Sequence, residues 1–162
     1  RDIGPSMSPM NAFLLLQGIE TLSLRMDKHL SNTKDLLEYL TGHDQVSWVN
    51  HPDLPGHESN KTARKYMPKG AGSIITFGVK GGKEAGRAFI ENVKLASHLA
   101  NVGDAKTLII HPATTTHSRI DAEALVAAGI TEDMIRISVG IEDVSDIKDD
   151  FNTGFRAAKK YS

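Results

Sequence analysis

The fold is decided by the segment Ser73-Ile74-Ile75-Thr76-Phe77-Gly78-Val79. Its residues Ile75, Phe77 and Val79 recur at every second position, which is the period of a β-strand with one buried face. Glycine-containing turns bound the segment on both sides, at Lys69-Gly70-Ala71-Gly72 and at Lys80-Gly81-Gly82. The segment therefore predicts a β-strand held between two tight turns.

Short strands and helices alternate along residues 43–162. Their order is strand, helix, strand, helix, two short strands, helix, strand, helix. This order predicts an α+β domain, a small, largely antiparallel sheet with helices packed on one face. The other predicted strands are Val46–Val49, two short pieces within Leu95–Leu99 and Thr107–Ile110, and Ile135–Val139. The last helix is predicted from Val144, with an apolar stripe of Val144, Ile147, Phe151, Phe155 and Ala158.

A long helical region precedes this domain. Ser8 followed by Pro9 predicts its start, because serine caps helices and proline suits the first helical position. The turn Phe13–Leu16 is apolar all round, which indicates that a partner covers it. Residues 1–42 are therefore predicted to be a linker and long bridging helix, and residues 43–162 the α+β domain. The predicted buried face of the helix consists of Leu22, Met26, Leu30, Leu37 and Leu40.

The composition argues against some classes of protein, such as nucleic-acid binders and membrane-spanning proteins. The 162 residues carry a net charge of −1 with 40% apolar and 24% charged residues, which is typical of a globular domain. A nucleic-acid binder is not expected without a basic excess. The longest apolar run, Ala12–Leu16, is too short for a membrane span. The absence of cysteine fits a reducing, cytoplasmic location. The start at Arg1 suggests a piece of a longer protein, a processed product or a trimmed chain.

Lys34 follows Ser31-Asn32-Thr33, which is reminiscent of a Schiff-base lysine. Its spacing from Leu30 and Leu37, however, places Lys34 on the polar face of the predicted helix, where no desolvated pocket would lower its pKa. The two glycine turns beside Ser73–Val79 match neither a P-loop nor a dinucleotide pattern, so they are predicted to be turns. No cofactor-binding residue is predicted from these patterns.

The histidines at positions 111 and 117 also invite a functional interpretation. Their spacing is not that of zinc ligands, and no carboxylate lies between them, so no metal site is predicted. The segment from His111 to His117 is polar. It is predicted to be a structured loop at a cleft, outside the core.

Arg136 is the most informative single residue. In the strand Ile135–Val139 the three branched residues point one way, whereas Arg136 and Ser138 point the other. An arginine in this position is either a solvated outer-face residue or a two-pronged ligand for a carboxylate in a cleft. The pattern alone favours the solvated residue.

Three stretches resemble a known family. They are Gln17–Met26 (QGIETLSLRM), Ala100–His117 (ANVGDAKTLIIHPATTTH) and Ile135–Asp143 (IRISVGIED). In this order they are similar to motifs of the Cys/Met metabolism family of enzymes dependent on pyridoxal phosphate (PLP), and the resemblance covers nearly the whole chain. It implies the C-terminal domain of a fold-type I PLP-dependent transferase.

The resemblance is greatest to the O-acetylhomoserine sulfhydrylase branch of methionine biosynthesis, through Asn101-Val102-Gly103 and the approach Pro68–Gly72. Many members of the family have Ser-Leu-Gly where this chain has Asn101-Val102-Gly103. The complete enzyme would release acetate from O-acetylhomoserine and add sulfide to give homocysteine. The alternatives are a cystathionine synthase or carbon–sulfur lyase of the same family, or a freestanding non-catalytic binding module.

The resemblance also implies roles for particular residues. Arg136 would bind the substrate α-carboxylate, Asn101 and Val102 would line the same pocket, and Thr116 matches a pocket threonine. The Schiff-base lysine and the residues that hold PLP would lie before Arg1, in a missing N-terminal PLP domain. This chain alone is therefore expected to be inactive and to bind no PLP, and the complete protein is expected to be a homo-oligomer, a tetramer in the family.

Overall fold

The computed structural model describes residues 4–115 and 122–162, and it contains one five-stranded sheet. The strand order is β1-β2-β5-β4-β3, and each neighbouring pair is antiparallel except β3 and β4. The prediction of a largely antiparallel sheet is confirmed. The strands are β1 (Val46–Asn50), β2 (Ile74–Val79), β3 (Ser97–His98), β4 (Leu108–Ile110) and β5 (Met134–Ser138).

Three helices cover one face of this sheet, as predicted. They are α2, α4 and α6, which contact one another or the strands beneath them. Helices α3 and α5 lie in the connections that follow β1 and precede β5. The helices are α1 (Pro9–Glu20), α2 (Leu22–Thr41), α3 (Asn60–Tyr66), α4 (Gly82–Asn92), α5 (Ala122–Ala127) and α6 (Val144–Ala158).

The core lies between the helices and the apolar face of the sheet. Across β2 and β5, Ile75 is opposite Ile137 and Phe77 is opposite Ile135, and none of these side chains is exposed. Aromatic rings from both helix and strand fill the centre, with the Phe77 and Phe89 rings edge to face at 5.7 Å. The predicted stripe of α6 is confirmed by the burial of Ile147, Phe151, Phe155 and Ala158.

Side chains close the ends of the helices where the sequence indicated them. The Ser8 hydroxyl accepts a hydrogen bond from the Asn11 amide at 3.2 Å and caps α1. The Asp143 carboxylate accepts the Ser145 amide at 2.9 Å and caps α6. Hydrogen bonds from Ser145 lower the pKa of Asp143, because they stabilise its charged form.

The buried face of α2 differs from the prediction. Leu22 and Met26 are exposed, and the fully buried Leu36 was not in the predicted stripe. The helix is also interrupted at Thr21, so the long helical region consists of two helices, α1 and α2. No residue of α2 before His29 is buried, so a stripe drawn along the whole helix included residues that do not reach the core. The buried residues of α2 are His29, Asn32, Thr33, Leu36, Leu37 and Leu40.

His111 contradicts the prediction that its segment lies outside the core. Its side chain is fully buried, and Pro112 and Ala113 are buried with it. Both ring nitrogens have partners, the Thr114 hydroxyl at 2.9 Å and the Glu132 carbonyl at 2.7 Å, so the polar ring is satisfied inside the protein. His117 lies outside the described residues. Within 4–115 and 122–162, no group of side chains could hold a metal ion.

Helix α1 has no buried residue, although half of its residues are large and apolar. The exposed fraction is 56% for Phe13 and 60% for Leu16. None of the described helices is both long and apolar enough to cross a bilayer. The apolar surface of α1 is therefore available for contact with another polypeptide surface.

We expect the stability of the domain to fall in acid. Burial lowers the pKa of His111 and His51 below their ordinary value. As the pH falls, these histidines are protonated in the unfolded chain at a higher pH than in the folded chain. The free energy of unfolding is therefore greatest above the unfolded pKa of about 6.5 and declines as the pH falls below it. Urea unfolding between about pH 7.5 and about pH 5.5 measures this loss. A constant free energy of unfolding over that interval would contradict the prediction.

We also expect residues 1–162 to self-associate through α1. Replacing Leu15 and Leu16 by lysine removes exposed apolar surface without touching the core, so it should reduce association. Asn11→Lys with Gln17→Lys is the matched control, because it adds the same charge and leaves the leucines in place. Sedimentation velocity over a concentration series measures the association. A monomeric wild type at high concentration would show that the α1 surface does not drive self-association.

Candidate functional site

Arg136 lies on β5 with its side chain on the face opposite the core, as the alternation predicted. Its neighbours Ile135 and Ile137 have no exposed surface, whereas Arg136 is partly exposed. On the adjoining strands it is opposite Thr76 of β2 and Ile110 of β4. The arginine thus rises from the middle of the sheet and not from an edge.

The Arg136 guanidinium has no ion pair or hydrogen bond with any other described residue. Its surroundings are only partly polar, because Ile110 is buried and the Thr76 hydroxyl already accepts the Asn50 amide at 3.3 Å. A guanidinium offers five N–H donors in a fixed plane, and partial exclusion of water strengthens its attraction for an anion. The arrangement can bind one carboxylate with two parallel hydrogen bonds.

Ser138 is the second polar residue on this face of β5. It is buried, and its hydroxyl has no hydrogen-bond partner among the described residues. Its cross-strand neighbours, Ile74 and Leu108, are both apolar. The side of the sheet that carries Arg136 is therefore an apolar surface with a few polar groups, which is typical of a ligand-binding face.

Asn101 and Val102 lie in the exposed loop that leads into β4. The Asn101 side-chain oxygen accepts the Val102 amide at 2.9 Å, and Asp104 accepts the Lys106 amide at 3.0 Å. Since β4 is antiparallel to β5, this loop and the end of β5 share one end of the sheet. No hydrogen bond between described residues joins Asn101 to Arg136. Thr116, the fourth predicted site residue, lies outside the described residues.

A cavity of about 570 Å³ lies beside this loop, between α4 and the strands β3 and β4. Ala100 and Ile110 line it together with Thr114 and Thr115, and Arg136 does not line it. The hydroxyls of both threonines point back to the His111 carbonyl, at 3.3 and 2.8 Å. Arg136 therefore lies outside this cavity, although its cross-strand neighbour Ile110 is part of the cavity wall.

The sequence analysis did not predict two buried polar residues of α2 that contact the backbone after β5. A ring nitrogen of His29 is 2.6 Å from the Val139 carbonyl, and the Asn32 amide donates to the carbonyls of Gly140 and Glu142. These contacts join α2 to the turn that follows β5. The only signal in the sequence was that polar residues interrupt the apolar stripe of α2.

Lys34 and the two glycine turns beside β2 lie where the sequence predicts them. Lys34 is exposed on the polar face of α2. The glycine turn before β2 is occupied by the protein itself, because the Ala71 amide donates to the Asp53 carboxylate at 3.0 Å. The turn after β2 caps α4, with Gly81 in a left-handed conformation at φ 102°.

Comparison with known proteins identifies the family. The family model of the Cys/Met metabolism PLP-dependent enzymes matches residues 1–156. The chain belongs to this family. The three motifs that contain Arg136, Asn101 and the first turns of α2 all lie within the matched residues.

Curated relatives of this chain include a homocysteine synthase and an O-acetyl-L-homoserine sulfhydrylase. The chain is 49% identical over 158 residues to the homocysteine synthase of Schizosaccharomyces pombe, covering 98% of this chain and 37% of that protein. It is 49% identical over 148 residues to O-acetyl-L-homoserine sulfhydrylase 1 of Thermus thermophilus, covering 91% of this chain and 35% of that protein. The chain thus spans little more than a third of the length of these relatives.

Solved structures of the Cys/Met family share the fold. A putative O-acetylhomoserine (thiol)-lyase of Campylobacter jejuni, which contains a pyridoxyl-lysine monophosphate, matches with a TM-score of 0.85 and 39% identity. That match covers 96% of this chain and 37% of the other. A cystathionine gamma synthase of Xanthomonas oryzae, in complex with aminoacrylate and cysteine, matches with a TM-score of 0.88 and 35% identity, covering 99% and 41%. Both matches assign this chain to the C-terminal domain of a fold-type I enzyme.

We expect residues 1–162 to retain no PLP. An imine needs an amine that is desolvated near a phosphate-binding site, and Lys34 has an exposed side chain. Titration with PLP followed by dialysis should leave no imine absorbance band, and Lys34→Ala should behave like the wild type. A stoichiometric band that survives dialysis and disappears in Lys34→Ala would make this prediction wrong.

Proposed function

We propose that this chain is the substrate-side, C-terminal part of an O-acetylhomoserine sulfhydrylase, which makes homocysteine from O-acetylhomoserine and sulfide. The observation that carries the proposal is the guanidinium of Arg136, which lies on a partly buried sheet face within a motif of the family and has no partner among the described residues. The relatives at 49% identity, a homocysteine synthase and a sulfhydrylase, support the choice of reaction.

Arg136 would bind the α-carboxylate of the amino-acid substrate. A planar guanidinium holds a carboxylate at two points, so it fixes the orientation of the substrate as well as its position. Asn101, Val102 and Thr116 would contribute to the wall of the same pocket. The free side-chain amide of Asn101 supports this role, because its oxygen is bonded locally and its NH₂ group is left exposed.

The rest of the protein would hold the cofactor. When bound, PLP supplies an electron sink that stabilises the carbanion formed from the substrate. This chain would hold the substrate by its carboxylate and cover part of the pocket from water. Residues 1–42 would connect to the PLP domain, and residues 43–162 would form the substrate-side domain. The exposed apolar helix α1 supports a contact with the PLP domain or with another subunit of a homo-oligomer, a tetramer by analogy with the family.

A cystathionine synthase of the same family is the second candidate. The structural likeness to the Xanthomonas oryzae enzyme supports it, although the identity of 35% is lower than the 49% to the homocysteine synthase and the sulfhydrylase described above. Supplying the full-length protein with O-acetyl-L-homoserine and either sulfide or cysteine separates the two. Faster formation of homocysteine from sulfide supports the proposal, and faster formation of cystathionine from cysteine supports the second candidate.

In the full-length enzyme, Arg136→Ala should weaken substrate binding while leaving the fold intact. Loss of a charge-assisted contact costs roughly 1.5–3 kcal/mol, equal to about a tenfold to hundredfold drop in kcat/KM. Most of the drop should appear in KM, because the carboxylate is gripped equally in the ground and transition states. Arg136→Lys should lie between Ala and wild type, since ammonium is a point charge.

The control for charge is Lys106→Ala, which removes an exposed cation from the loop before β4. It should leave KM unchanged, and thermal melting checks that each variant is folded. Wild-type kcat and KM in Arg136→Ala would show that Arg136 does not bind the substrate carboxylate. Unfolding of Arg136→Ala would instead show that the arginine is a structural residue.

A further inference from the structure

The end of the sheet where β4 and β5 diverge is closed by four residues, Asn32, Thr107, Gly140 and Glu142, which we call the clamp. We propose that the clamp positions the Asn101–Val102 loop beside the strand that carries Arg136. Its residues would thus act on the substrate site without touching the substrate. This inference rests on the function proposed above.

Thr107 and Glu142 form the centre of the clamp. The Glu142 carboxylate accepts two hydrogen bonds from Thr107, one from the backbone amide at 2.7 Å and one from the hydroxyl at 2.8 Å. The same hydroxyl accepts the Gly140 amide at 2.9 Å. Thr107 is fully buried, and its hydroxyl gives the Gly140 amide a partner just beyond the last pair of β4 and β5.

Asn32 holds the same turn from the other side. Its side-chain NH₂ group donates to the Gly140 carbonyl at 3.0 Å and to the Glu142 carbonyl at 2.8 Å. Gly140 leaves no space for a side chain, because a Cβ atom there would collide with the Glu142 carboxylate and the Thr107 amide. The clamp therefore joins α2, the residue that enters β4 and the turn that leaves β5.

The loop before β4 depends on these contacts. Asn101 and Val102 are exposed, and their hydrogen bond is between neighbours in the chain. Farther along the loop, the Ile141 amide donates to the Ala105 carbonyl at 2.9 Å, directly beside the clamp. A loop with so few contacts of its own keeps one position only if its end is fixed. Fixing that end next to the turn after β5 sets its distance from Arg136.

The test compares Thr107→Val with Thr107→Ser in the full-length enzyme. Valine keeps the shape and removes the hydroxyl, whereas serine keeps both hydroxyl hydrogen bonds, so serine is the matched control. We expect Thr107→Val to raise KM for O-acetyl-L-homoserine roughly tenfold, with kcat and the KM for sulfide within about twofold of wild type. Thr107→Ser should stay within about twofold of wild type for all constants.

Hydrogen–deuterium exchange supplies a readout that does not depend on activity. In Thr107→Val, amides of residues 99–106 should exchange faster than in wild type and in Thr107→Ser, while β2 and β5 stay protected. Glu142→Gln, which keeps the shape and loses the charge, should shift exchange and KM in the same direction. If Thr107→Val does not fold, the exchange rates and KM of Glu142→Gln test the clamp instead.

Unchanged exchange of residues 99–106 would overturn the clamp. Faster exchange with an unchanged KM would show that the clamp stabilises the loop without affecting substrate binding, and this would overturn the positioning role. A wild-type enzyme without sulfhydrylase activity would overturn the proposed function instead, and the exchange rates would then decide the clamp separately.

Discussion

The alternation of side chains along β5 is the constraint on which both the core and the candidate site depend. Ile135 and Ile137 are fully buried beneath the helices, so Arg136 must point to the opposite face. A shift of β5 by one residue would bury the guanidinium and expose both isoleucines, at a large cost in free energy. The hydrophobic core thus fixes the direction of Arg136, which has no polar contact with the other described residues.

Polar side chains determine how the ends of the strands are closed. His29 and Asn32 bind carbonyls of the turn after β5, Thr107 binds an amide of that turn, and the Asp150 carboxylate accepts three successive amides after α4. Each buried backbone group needs a partner where a strand or helix stops, because water cannot reach it. These residues therefore hold the ends of the strands and helices, and the apolar core holds the strands between them.

The parts of this structure that the sequence predicts are those with local causes. The period of β2, the caps at Ser8 and Asp143 and the direction of Arg136 each follow from neighbours within a few residues. The buried face of α2 and the burial of His111 were predicted wrongly, because each depends on at least one partner that is distant in the chain. His29, for example, contacts Val139, which is 110 positions away. Spacing rules carry no information about such partners.

The chemistry of Arg136 also limits what it can select. Every α-amino acid carries the carboxylate that Arg136 would bind, so this contact cannot separate O-acetylhomoserine from other amino acids, or sulfide from cysteine. That choice must come from groups that meet the side chain or the incoming sulfur. Among the described residues, the Asn101–Val102 loop has exposed side chains that could do so. Its position would then matter more for specificity than for catalysis, which is the reason to expect a dedicated set of buried contacts at its end.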